Sequence, residues 1–100
     1  MIEEKIREDL KKAQKEKVVL EVSTLRLLLA ALQNRRIERQ TELTSDDEIQ
    51  VVQTQIKQRK ESVEAFRNGG REDLAKKEEE EIKVLSRFLP PSLSQEELEK

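Results

Sequence analysis

Only two glycines and two prolines occur in one hundred residues, and they stand as adjacent pairs, Gly69-Gly70 and Pro90-Pro91. A β-rich or loop-rich fold needs many more turn residues than this. The chain is therefore confined to helices, and its clearest breaks fall at those two pairs.

Apolar spacing agrees from end to end. Ile2, Ile6, Leu10 and Ala13 recur every three to four residues with charge between them, which predicts a helix over 2–16. Lys15-Glu16-Lys17 interrupts the pattern. A second helix is predicted over 18–40, with Val18, Val22, Leu25, Leu29 and Leu32 on one seam. Leu28 and Ala31 widen that seam, and Val19, Leu20, Leu27 and Ala30 cover other faces, the pattern of a central, buried helix. Ser45 with Glu48 reads as a capping box opening a third helix over 45–68, its acidic first turn matching the positive end of the dipole. A fourth helix is predicted over 71–89, between the glycine pair and the proline pair. Leu25, Leu28, Leu29, Leu32, Val52, Ile56, Val63, Phe66, Leu85 and Leu89 are the expected core of an all-α, mainly antiparallel bundle.

Beyond the prolines, Leu93-Ser94 and Glu97-Leu98 spell the opening of a fifth helix, a capping box with its hydrophobic staple. Six further residues are too few for a stable isolated helix. The expected organisation is thus a bundle over 1–91 and the start of a truncated helical module over 92–100, cut from something longer.

Composition then limits the chemistry. The chain is 42% charged and 2% aromatic, with no Cys, His, Trp or Tyr, so thiol nucleophiles, imidazole bases, disulfides and nearly all zinc sites are excluded. A net charge of −2 gives no overall field to draw it to nucleic acid or membrane. The N-terminus lacks the apolar run of a signal peptide, and the densest apolar stretch, 18–32, is too short to span a bilayer of about 30 Å. A cytoplasmic protein without cofactor or metal is expected.

Several clusters look functional and have a structural reading beside it. Folding the chain near residue 42 sets Arg35, Arg36 and Arg39 against Asp46, Asp47 and Glu48, ordinary electrostatics between helix ends. Arg59 lies on the apolar seam of the third helix. Folding at Gly69-Gly70 brings it opposite Glu78–Glu81, so a structural ion pair of Arg59 with Glu78 or Glu81 is expected, with phosphate binding as the minority reading. The four consecutive glutamates point about 100° apart on a helix and cannot converge on one cation. No nucleophile elbow, phosphate loop or catalytic constellation is present.

With these elements placed, the sequence resembles the GatB/YqeY family, and within it the stand-alone YqeY-like proteins. The residues carrying the resemblance are Leu25-Arg26 with Ala30-Ala31-Leu32, and Leu43-Thr44 before the acidic helix start. They continue as Gln58-Arg59-Lys60 with Ser62, Phe66, Gly70-Arg71 with Asp73-Leu74, then Leu85 and Leu89-Pro90 before Leu93-Ser94. Phe88 stands where family members usually have Tyr, and Pro91 is a second departure. The resemblance implies an all-helical, two-part architecture similar to the tail of the GatB component of the glutamine-dependent aspartyl/glutamyl-tRNA amidotransferase, a region associated with tRNA. It implies no catalytic residue. The carbon–nitrogen ligase label often attached to the family has no support in these residues.

Two functions follow as expectations. One is a non-catalytic tRNA- or translation-associated module contacting phosphate through Arg26, Arg59, Lys60 and Arg71, weakly, given the acidic balance. The other is a protein–protein adaptor or accessory subunit of an amide-transferring ligase.

Overall fold

The computed structural model describes residues 2–90. Four α-helices follow one another: α1 (Ile2–Glu16), α2 (Val19–Arg39), α3 (Ser45–Asn68) and α4 (Glu72–Ser86). Among the described residues there is no strand. The predicted fifth helix and the 92–100 module lie outside the described residues.

Each turn is built around one residue in the left-handed conformation. Gly70, at φ 76°, closes α3 while the Arg71 amide donates to the Phe66 carbonyl at 2.8 Å, satisfying a carbonyl that the last turn would orphan. Lys17 does the same work after α1 at φ 59°, with Val18 N–H donating to Ala13 at 3.0 Å. Gln40 caps α2 at φ 57°. Two of the three turns thus hold a side chain where glycine is the usual occupant.

Two boundaries differ from the sequence reading. The capping box of α3 is Thr44 with Asp47: Thr44 Oγ1 accepts from the Asp47 amide at 3.1 Å, and Asp47 accepts from the Thr44 amide at 3.0 Å. Ser45 and Glu48 fit the same spacing one residue later, but Glu48 turns inward and is 3% exposed. Secondly, α4 ends at Ser86 rather than 89. Arg87, Phe88 and Leu89 tighten into bonds to carbonyls three residues back, because Pro90 disfavours helical geometry in the residue before it.

α3 and α4 form the most extensive pairing, α1 and α2 the next, and α2 joins the two hairpins by touching both α3 and α4. Ile6, Leu25, Leu28, Leu32, Val52 and Leu85 fill the centre and are fully shielded from water. Ile56 and Leu89 are buried as expected, whereas Leu29, Val63 and Phe66 are only half-buried. Ala13, Leu43, Val51, Ala75, Ile82, Val84 and Phe88 are buried as well. α3 meets three neighbours, so its buried arc is broader than one stripe and takes in Val51 beside Val52.

Candidate functional site

Arg59, half-way along α3, points at α4. Its guanidinium lies 3.2 Å from a Glu78 carboxylate oxygen and 3.8 Å from Glu81. Glu81 is 4% exposed, enclosed where α2, α3 and α4 meet, and its Oε1 has no hydrogen-bond partner. Burial pushes the Glu81 carboxyl above the ordinary carboxylate range, Arg59 pulls it back and Glu78 pushes it up again. Thr24 Oγ1 lies 3.4 Å from Glu81 Oε2 and donates its single proton at 2.8 Å to the Leu20 carbonyl. A carboxyl sealed in this way can hold a proton and is shielded from solvent. Among the described residues no group of three or more acidic side chains is placed to hold a cation.

The other arginines are mostly engaged within the fold. Arg71, exposed at the start of α4, pairs with Asp73 at 3.3 Å. Arg67 holds Glu72 at 2.8 Å and Glu79 at 3.1 Å. Arg39 reaches Asp47 at 2.8 Å across the α2–α3 link, while Arg36 turns back to Glu3 of α1. Arg87 bridges from the end of α4 to Glu21 at 2.6 Å. Arg26 and Lys60 form no ion pair with a described residue. They do not adjoin. Arg26 lines a shallow groove with Gln14, Lys17, Val19, Val22 and Ser23, whereas Lys60 lies in the outer cleft between α3 and α4 with Glu79, Glu80 and Lys83. Of the four expected phosphate contacts, Arg59 and Lys60 are neighbours on α3, while Arg26 lies on α2 and Arg71 just before α4.

A different surface is assembled instead. The apolar pattern of α2 predicts burial on most sides, but only the arc of Thr24, Leu25, Leu28 and Leu32 is covered. Opposite it, Val19, Ser23, Arg26, Ala30, Gln33 and Ile37 follow at three- and four-residue steps and share one outward face. Val19 is 78% exposed, Ile37 65% and Leu27 49%. Together with Val18, just before α2, they are all the large apolar side chains exposed among the described residues. Arg26 is the one charge on that face, in a chain that is 42% charged. Beside it an open groove of about 440 Å³ runs between α2 and α3, floored by Ala30 and Ala31 and walled by Asn34, Gln55, Gln58 and Ser62. The signal was present in the sequence as apolar residues on the arc opposite the seam. Spacing alone does not say whether protein or solvent covers such an arc.

The family model for YqeY-like proteins matches residues 3–100, almost the whole chain. The chain belongs to the YqeY-like family. Its relatives include an uncharacterised protein of Schizosaccharomyces pombe, 34% identical over 94% of this chain and 73% of its own length. Two others are named altered inheritance of mitochondria protein 41, mitochondrial. The one from Lachancea thermotolerans is 34% identical over 84% of this chain and 46% of its own length. That from Kluyveromyces lactis is 35% identical over 94% and 52%. The YqeY-like chain thus spans about half the length of these mitochondrial relatives, whose name departs from the cytoplasmic expectation. Among its described residues, no helix is long and apolar enough to cross a membrane.

Proposed function

We propose that this YqeY-like chain is a non-catalytic helical module that binds a protein partner through the outward face of α2. In this reading it is an adaptor or accessory unit of the translation-linked amidation machinery to which its sequence resemblance points. The exposed line of Val19, Leu27, Ala30 and Ile37 carries the reading. A face that carries Val19, Leu27, Ala30 and Ile37 with a single charge, on an otherwise highly charged surface, supports a binding surface, and most of the arginines that could hold phosphate are already paired with carboxylates of the fold. A chain without cysteine suits a reducing compartment, the cytoplasm in this reading. A photo-crosslinking residue in place of Ala30, introduced in the native host, tests it. The expected product is a protein adduct that disappears when Ile37→Asp is added. An RNA adduct, or a protein adduct indifferent to Ile37→Asp, overturns it.

Direct tRNA binding is the second reading, favoured by Arg26 and Lys60, which form no ion pair with a described carboxylate. A gel shift with tRNA at low salt should then weaken on charge reversal of Arg26 and Lys60, equally for all tRNAs, because phosphate contacts carry no sequence information. Few phosphates would be neutralised, so the salt dependence should be shallow. Absence of any shift at low salt removes this reading.

A further inference from the structure

We propose that the partner segment seated on α2 is an acidic amphipathic helix, an inference that rests on the adaptor reading and specifies its ligand. From Val19 to Ile37 the face runs about 27 Å, the length of a five-turn helix. Ala30 and Ala31 put only methyl groups on the floor of the neighbouring groove, so a second helix can approach closely there. The walls contributed by Asn34, Gln55, Gln58 and Ser62 are neutral, and Arg59, which also lines the groove, directs its guanidinium to Glu78 of α4.

Charge selects the occupant. At the N-terminal end of the face, Lys17 and Arg26 share a groove with Val19 and Val22, and neither forms an ion pair with a described residue. Glu21, the nearby acid of α2, is turned away to Arg87. At the far end the exposed Glu38 adjoins Ile37. The matching helix therefore sets carboxylates against Lys17 and Arg26 and apolar side chains over Val19, Leu27 and Ile37. A second copy fits less well. A stripe about 27 Å long and about 10 Å wide presents roughly 270 Å², below the roughly 800 Å² per partner of a standard interface, whereas a lone helix lying beside α2 also reaches the α3 wall of the groove.

Two synthetic helices of about 18 residues, with the same leucine seam, one flanked by Glu and one by Lys, are titrated into the isotope-labelled full chain by NMR. The Glu-flanked peptide should shift Val19, Leu27, Ala30 and Ile37 and bind roughly tenfold tighter than its Lys-flanked twin. Lys17→Glu combined with Arg26→Glu should reverse that order. Equal binding of the two peptides on α2 overturns the acidic assignment and leaves the adaptor reading standing. No shift along α2 with either peptide also overturns it, and the crosslink at Ala30 then judges the adaptor reading separately. Sedimentation as a dimer that Ile37→Asp disperses gives the face to a second copy and overturns the inference.

Discussion

Replacing Arg59 with alanine removes the guanidinium that approaches both Glu78 and Glu81. The side chains of Arg59, Glu78 and Glu81 are 20%, 12% and 5% exposed, so solvent screens the group only in part. Breaking a fully buried pair costs about 3–5 kcal/mol, mostly because a charge is left stranded. The residual exposure of Arg59 and the loose 3.8 Å approach to Glu81 reduce this to about 2 kcal/mol at neutral pH. With a urea m-value near 1 kcal/mol/M, the midpoint followed by far-ultraviolet circular dichroism should fall by roughly 2 M. The loss should also depend on pH. Without Arg59 the Glu81 carboxyl, already raised by burial, rises further. A carboxyl raised in the folded state lowers stability above its folded pKa and costs nothing below its ordinary value. The deficit should therefore be largest at neutral pH and shrink as the pH falls into the ordinary carboxylate range. Adding Glu81→Gln should recover part of it at neutral pH, because the neutral amide strands no charge. A loss below about 0.5 kcal/mol, the scale of an indifferent surface change, or a loss that does not vary with pH, would refute this account of the cluster.

Other consequences are open to simpler measurements. Thr44→Ala should cost about 1 kcal/mol in urea denaturation through loss of the α3 cap, and Thr44→Ser should restore most of it. Gly70→Ala meets no steric obstacle, yet it forces a side chain into φ 76°, so the melting midpoint should drop by the equivalent of about 1 kcal/mol. Gly69→Ala, at φ −85° and with its nearest neighbour 3.4 Å away, should be nearly silent. The hydrogen bond from Arg36 holds the Glu3 carboxyl below its usual range. Its stabilising contribution is therefore complete above that range and lost as the pH falls through the lowered value. Glu3→Gln should flatten the acid limb of the stability profile.

The helical architecture was legible because its punctuation is sparse: Gly69-Gly70 and Pro90-Pro91 mark two breaks, and the apolar steps leave little choice between them. Thr44 and Ser45 show where legibility stops at the level of one residue. Both present a hydroxyl with an acid three positions on, and only the backbone geometry decides that Thr44 turns toward Asp47 while Glu48 is enclosed. Leu29 and Val63 share the periodicity of their buried neighbours, yet they sit at the edge of contact arcs whose width depends on how helices cross. Lys17 and Gln40 adopt left-handed turns that their side chains give no hint of. The candidate face of α2 escaped for a comparable reason. An apolar residue has the same chemistry whether it faces a neighbouring helix or water, and only the assembled bundle tells Ile37 from Leu32.

The three connections, spanning two to five residues, bear on how quickly the native state forms. Short loops cost little closure entropy, and a bundle whose contacts are close in sequence belongs to the microsecond-to-millisecond folding regime. Synthesis, however, delivers the helices in order. The α1–α2 hairpin leaves the ribosome while α4 does not yet exist, so Thr24 and the inner arc of α2 lack the partner that finally encloses them. Completion of the core waits on α4. The interval before α4 arrives is when two apolar arcs of α2, not one, are open to wrong partners.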